Sequence, residues 1–567
     1  MNRREFLKTG SLGLAGLALG GQSLPWLIDQ AVAGSLASGQ PWKFGVMADT
    51  QWSNKNDPDS PATCAVNIIE ALNQQFIAAG VKFVVQVGDL VNTETWNVTS
   101  AAGYTDPFGN AAGTAVRTLP YRAWAAQSLY DHGIGFFPLR GNHEGSQTAA
   151  NELPALFPQT LGEADAMYGV SKVVASTIDG LKGLSYAFDF GNVRIVMLDQ
   201  FTRKDGSGAD NSTAMLDQLA WVDNVLADRP AGSHAFVMAH KNLIGQNHAD
   251  CLFGANATTN PEARNQFIGS LQANQVGLYL GGHDHMHHRS LIASPDRSAQ
   301  TQQIICSSNS YKFYIPKGTP NDTDGCETVV AQELFTIGYY LFTVDGPCLT
   351  VEFYSSSHGE DYGDVDLTAS PLAGYQFFLR ERFGYSLNGK QFDIANGESY
   401  TKVQDSHAGT TAKILSGSNA DTAGDQDYNG RAETKTVRTG WRDRPTGAAS
   451  AVLKLWGMAE NLSLFDGDLT GMLPDSDAST VGDVYVLSLS YDAAAVRPSF
   501  LRTGDFAVYA KDADGNWVKA VELNDGGTGK FVYGPWKAKH GLGCYGVDPS
   551  TRTVWAVLNR DGEFVAR

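Results

Sequence analysis

The sequence predicts a layered α/β domain over residues 42–354 followed by a β-rich region, and three observations carry this reading. Short apolar runs rich in β-branched and aromatic residues alternate with helical patterns. Each of those runs passes directly into a polar residue. Beyond Ser355 the composition shifts to Gly, Asp, Ser and Thr before strand-like alternation returns.

Six segments, 44–48, 83–87, 135–139, 193–198, 235–238 and 276–280, are predominantly apolar runs of strand length, the pattern of strands buried on both faces. Between the first two, Ser60-Pro61 is a start signal for a helix whose apolar residues Val66, Ile69, Leu72 and Phe76 keep helical spacing and which Gly80 ends. Leu216, Leu219, Val222 and Leu226 mark a second helix. Two polar stretches, 93–118 and 316–326, read as insertions. The first follows Asp89 and is either a solvent-exposed loop or an overhang that shapes a cleft. In the C-terminal part, the alternating runs 484–489 and 506–509 and the turn dipeptides Asp514-Gly515 and Asp561-Gly562 predict a β-rich accessory domain over 360–567, a sandwich or a barrel. The Asp512–Gly515 stretch lacks the ligand register of a calcium loop and reads as a hairpin turn.

A chain of 567 residues exceeds what one core supports, so at least two domains are expected. Forty-two basic against sixty acidic residues leave a net charge of −18, which argues against a nucleic-acid scaffold or an anionic membrane as partner. It says nothing against a small phosphorylated substrate in a cleft whose field is set by cations. Asn2-Arg3-Arg4-Glu5-Phe6-Leu7-Lys8, a weakly apolar glycine-rich run and Ala31-Val32-Ala33 together resemble a twin-arginine export signal spanning 1–33. The expectation is an exported, periplasmic or extracellular protein with no membrane span in its mature part; the other reading of this run is an N-terminal membrane anchor. Six cysteines without a C-x-x-C argue against a zinc finger or redox motif; Cys326 and Cys348 are the first pair to consider for a disulfide, and buried free thiols are the alternative.

Ligands of open α/β sheets bind beyond the carboxyl ends of strands, and there the sequence places five motifs in order. They are Asp49-Thr50-Gln51, Gly88-Asp89, Gly141-Asn142-His143-Glu144, Ala239-His240 and Gly282-His283-Asp284-His285. Singly each is ordinary; as an ordered set they resemble the calcineurin-like metallophosphoesterase superfamily over residues 42–354. The resemblance implies a metallophosphoesterase-type layered β sandwich flanked by helices. It also implies two divalent ions of undetermined identity (Mn, Mg, Fe or Zn), bridged by Asp89. Asp49, Gln51 and His285 would complete the first site, and Asn142, His240 and His283 the second. A metal-bridging hydroxide would attack a phosphate ester in line, with inversion at phosphorus, and His143 would act as general acid. Monoester and diester substrates stay open. The family's usual D-x-H is here D-x-Q, so Gln51 supplies a weak amide oxygen, and the first site is expected to be looser and to favour Mg or Mn over Zn. The tyrosine that purple acid phosphatases carry after G-D falls near Asn92, so no iron–tyrosinate site is expected.

Around these motifs, Arg140 and Lys241 are candidates for phosphate contact, with Trp52, Asn242, His248, His287, His288 and Arg289 behind them. Asp199, ending a strand, is expected to organise loops rather than bind metal. The rival reading is a non-catalytic envelope binding protein on a phosphoesterase scaffold. A serine or cysteine hydrolase has no G-x-S-x-G elbow to support it.

Overall fold

The computed structural model describes residues 40–52, 60, 62–162, 167–207, 215–310, 312–318, 321–357, 375–395, 403–405, 409–420, 426–459 and 482–567. The export-signal reading of 1–33 lies outside the described residues. The described chain divides into two compact units. The first runs to Thr328 and adds Gln332–Thr343 and Tyr354–Phe377; the second comprises Val329–Ala331, Val344–Phe353 and Phe378–Arg567.

In chain order the first unit contains β1 (Trp42–Met47), α1 (Val66–Ala79), β2 (Phe83–Val87), β3 (Thr95–Asn97), β4 (Ala115–Arg117), α2 (Leu119–Ala125), α3 (Gln127–Asp131), β5 (Gly135–Leu139) and α4 (Gln147–Leu156). It continues with β6 (Lys172–Ala175), β7 (Tyr186–Phe190), β8 (Val193–Leu198), α5 (Leu219–Ala227), β9 (His234–Ala239), α6 (Pro261–Ala273), β10 (Leu278–Gly281), β11 (His287–Ala293) and β12 (Gln300–Ile305). Strands β13 (Glu327–Glu333), β14 (Thr336–Asp345) and β15 (Cys348–Ser357) are divided between the units.

Two sheets face each other in the first unit: β14-β1-β2-β5 and β11-β12-β10-β9-β8-β7-β6. Their inner faces meet in an aromatic layer, where Phe44 lies 5.6 Å from Phe236 and Phe137 stacks 4.3 Å from Phe188. Residues of opposite parity face outward. Val84 and Phe136 pack with α1 to α4, and Val196, Val237 and Tyr279 pack with α5 and α6, giving helix, sheet, sheet and helix layers. This double burial is why the strands read as mostly apolar runs without polar alternation.

The first helix starts later than its sequence signal. Ser60 is not its cap; the helix begins at Val66 after Ala65. Thr63 O accepts from Trp52 N at 2.8 Å and Ala65 N donates to Thr50 O at 2.8 Å, so residues 62–65 are tied to the 50–52 segment instead of entering the helix. Its end is as read, with Gly80 in the left-handed region at φ 67°. The 93–118 insertion forms the hairpin β3–β4 and sends Trp96 and Val98 into the core. All six cysteines are free, so Cys326 and Cys348 are not bridged. Among the described residues no helix is long and apolar enough to cross a membrane.

The second unit holds β16 (Phe378–Ser386), β17 (Gln391–Ala395), β18 (Val403–Asp405), β19 (Thr410–Ser416), β20 (Thr434–Arg442), β21 (Val452–Trp456) and β22 (Val484–Ser490). It ends with β23 (Val508–Lys511), β24 (Trp517–Lys519), β25 (Lys530–Tyr533), β26 (Cys544–Asp548), β27 (Thr553–Leu558) and β28 (Gly562–Ala566). Two sheets, β17-β20-β21-β28-β23-β24 and β18-β19-β22-β27-β26-β25, enclose one core, which makes it a sandwich. Asp514-Gly515 turns the β23–β24 hairpin, with Gly515 at φ 82°. Asp561-Gly562 is not a hairpin turn: it carries the chain from β27 to β28 in the other sheet, and the Asp561 carboxylate accepts from the backbones of Gly457 and Met458.

Candidate metal centre

Parallel pairing brings five strand ends to one edge. Met47 pairs with Gln86 and Val87 with Leu139 in one sheet, and Leu198 with Ala239 and Met238 with Leu280 in the other. The residues just past β1, β2, β5, β9 and β10 therefore converge where the two sheets meet, and the five motifs occupy those positions. Asp49, Asp89, His283 and His285 all have left-handed backbones, with φ between 47° and 72°, so each strand end turns sharply inward. Such conformations cost non-glycine residues of order 1 kcal/mol each and concentrate at functional sites.

Two glycines permit the close approach. A Cβ on Gly141 would lie 1.9 Å from Asp89 Oδ1, and one on Gly88 would lie 2.3 Å from His240 Nδ1. The G-D and G-N-H motifs carry glycine because a carboxylate and an imidazole occupy the space a side chain would need.

Two ligand groups share Asp89: Asp89, His240 and His283 form one, and Asp49, Asp89 and His285 the other, each with donor atoms within 4.8 Å of one another. All of these residues are buried. Asn142, an exposed residue, sends Oδ1 to within 3.0 Å of His240 Nε2. The outer nitrogens of two histidines are tied to backbone carbonyls, His240 Nδ1 to Val87 O at 3.1 Å and His285 Nδ1 to Lys312 O at 3.0 Å. That leaves their Nε2 atoms facing inward. Gln51 inserts its amide between Asp89 Oδ2 and His285 Nε2, 3.0 Å from each.

The donor set fits divalent cations. Asp49 Oδ2 and Gln51 Oε1 are buried without a hydrogen-bond partner, and oxygens so placed are stabilised by a cation rather than by apolar packing. A half-turn of the Gln51 amide presents Oε1 to the same gap. Burial holds the Asp49 carboxyl well above its ordinary range, with His240 opposing and Asp89 adding to the rise. Burial also acts upward on Asp89, but His240, His143 and His283 prevail and hold it well below. Burial acts downward on His240, yet Asp89 and Asp49 raise it to about 9. Burial lowers His285 to about 3, so its imidazole is neutral and its lone pair free to donate to a metal.

His143 stands beside this group as a non-ligand. Its Nδ1 is held by Asn92 O at 2.7 Å, and Nε2 lies 3.9 Å from Asp89 Oδ2, in a side chain 21% exposed. Nε2 is therefore the ring nitrogen that the Asn92 bond leaves open, on the side of Asp89.

Other candidates named from the sequence sit elsewhere. Arg140 is fully buried: Nε and Nη2 grip Asp199 at 2.6 and 2.9 Å, and the remaining N–H groups go to the carbonyls of Glu144, Ser146 and Thr202. No N–H is left for a phosphate; the pair ties the end of β5 to the end of β8, which gives Asp199 its loop-organising place. Lys241 is 3% exposed and its ammonium pairs with Asp250. Trp52, Asn242, His287, His288 and Arg289 are buried in the fold. Only His248 reaches the rim, stacked 4.1 Å from His283 and hydrogen-bonded to Asp284 at 2.8 Å.

Several site residues escaped the sequence reading. Glu144 accepts from Val91 N and Gly141 N at 2.9 Å each, locking the loops after β2 and β5, and burial beside Asp89 raises it to about 7. It was legible as the last letter of G-N-H-E. Asp250 lies 3.2 Å from His283 Nε2 and carries no motif signal at all. On the rim, the Tyr314 ring sits 4.9 Å from both His248 and His285. Burial lowers the neighbouring Lys312 ammonium while Asp89 and Asp49 act to raise it.

Comparison with known proteins follows the same outline. The family described as calcineurin-like phosphoesterase matches residues 43–287. No curated protein sequence matches the chain. Among solved structures the chain is similar to that of PhoD (13% identity, TM-score 0.38, covering 61% of this chain and 70% of that one). It is also similar to the purple acid phosphatase PPD1 of yellow lupin seeds (13%, 0.35, 61% and 54%). A third is GAP50, described as the anchor in the inner membrane complex of Plasmodium (16%, 0.32, 57% and 86%). Over residues 43–287 the chain is similar to calcineurin-like phosphoesterases, and that match supports phosphoester hydrolysis as its activity.

Proposed function

We propose that this enzyme hydrolyses phosphate esters at two divalent cations, held by Asp49, Gln51, Asp89 and His285 on one side and by Asp89, Asn142, His240 and His283 on the other. The observation that carries the reading is the pair of buried ligand groups sharing Asp89. Two such cations, when bound, lower the pKa of a shared water and neutralise phosphate oxygens. The chain's own part is to hold them, with Asp89 between, and to present His143 Nε2 to the departing alkoxide, its ring fixed by Asn92 O. Lys312 and Tyr314 border the space a substrate would enter.

The two sides are unequal in this proposal. The first relies on a neutral amide where an imidazole would bind more firmly, so it is the labile site and favours Mn or Mg. The N-terminal sequence supports export by the twin-arginine route, which carries folded proteins with metals in place. The test compares p-nitrophenyl phosphate with its bis ester, with and without EDTA and added Mn2+. Hydrolysis that EDTA abolishes and Mn2+ restores supports the reading, and the preferred ester assigns the class. Binding of two metals with no hydrolysis of any ester would overturn it, as would retention of configuration with a chiral phosphate.

A further inference from the structure

The three histidines of the centre differ in what holds their outer nitrogen. His240 and His285 lean on neutral carbonyls, Val87 O and Lys312 O. Among the three, His283 has a carboxylate there: Asp250 Oδ1 lies 3.2 Å from Nε2, which leaves Nδ1 for a cation. The other Asp250 oxygen takes the ammonium of Lys241, a side chain 3% exposed. Lys241 is itself anchored, its backbone N donating to Gln200 Oε1 at 3.2 Å. The His283 ring is further pinned by the stacked His248 at 4.1 Å and by its own backbone N, which donates to Asp49 Oδ1 at 3.0 Å.

We infer that Asp250, held in place by Lys241, is a positioning residue that orients His283 and makes the His240–His283 site the tighter of the two. A carboxylate on the far side of a metal-binding imidazole fixes its tautomer and strengthens its donation, and loss of such a partner costs 10- to 100-fold in metal affinity. The asymmetry of the centre then has two sources, the amide of Gln51 weakening one side and Asp250 strengthening the other. This rests on the two-metal reading above.

The test uses the full chain loaded with Mn2+ and dialysed against graded nitrilotriacetate buffers, with bound metal counted by mass spectrometry. Run in a His285→Ala background, which impairs the first site, it follows the second alone. Asp250→Ala should shift retention to 10- to 100-fold higher free Mn2+, and Asp250→Asn, which keeps an acceptor oxygen, should shift it less. Near-UV circular dichroism should match that of the parent chain. An unchanged retention curve overturns the inference, as does an equal weakening of both sites when Asp250→Ala is made in the otherwise unaltered chain. If that unaltered chain takes up no Mn2+, the two-metal reading itself fails.

Discussion

Replacing Gly141 with alanine tests the geometry at its tightest point. Gly141 has an extended backbone at φ −98° and ψ −172°, which any residue adopts, so the substitution carries no conformational penalty. Its effect is purely steric: the new methyl would sit 1.9 Å from Asp89 Oδ1 and 2.2 Å from Asp89 N, where real Cβ contacts stay beyond 3.0 Å. Gly141 cannot retreat freely, because its backbone N donates to Glu144 Oε2 at 2.9 Å. The Asp89 carboxylate must yield by about 1 Å, and a displacement of that size at a reacting centre costs about 100-fold in rate. Overpacking adds about 1–3 kcal/mol of destabilisation. We expect Gly141→Ala to lose at least about 100-fold in kcat/KM and to hold both metals less firmly. Gly269 provides the control: it lies inside α6, where an added Cβ would meet nothing within 4 Å, so Gly269→Ala should leave activity alone and gain up to about 1 kcal/mol. Activity of Gly141→Ala within threefold of the parent, with both metals retained, would refute the reasoning.

Other substitutions separate the roles assigned here. His143→Gln should keep both metals and lower kcat by about 10²- to 10⁴-fold for alkyl phosphates. The loss should be much smaller for p-nitrophenyl esters, whose leaving group needs no proton; equal losses on both would remove His143 as the acid. Gln51→His should convert the weak amide into an imidazole ligand, so that chelator dialysis leaves close to two zinc ions per chain where the parent keeps fewer; a parent that already holds two tightly contradicts the asymmetry. Arg140→Leu strands the buried Asp199 carboxylate, and removing one partner of such a pair costs about 3–5 kcal/mol, read from urea denaturation. A change under about 1 kcal/mol would show that the Arg140–Asp199 tie carries little of the fold's stability.

How far the sequence reached depended on whether a signal was local. Strands 83–87, 135–139 and 193–198 were bounded to the residue, because apolar runs buried on both faces and ended by a polar turn need no distant information. Motif glycines and the ordered Asp, Asn and His residues were legible for the same reason: each answers to its own strand end. The start of the first helix was misread because Thr50 and Trp52, elsewhere in the chain, hold residues 62–65 by backbone hydrogen bonds outside the helix. Arg140 and Lys241 look like phosphate ligands beside the motifs. Only folding showed that Asp199, 59 positions away, consumes the first and that Asp250 consumes the second. By itself the sequence determined the layered fold and the order of the candidate donor residues along the chain. The tertiary structure alone decided which donors share Asp89, which way each imidazole faces, and which charges spend themselves on one another. Those depend on distances across two sheets that no local pattern encodes.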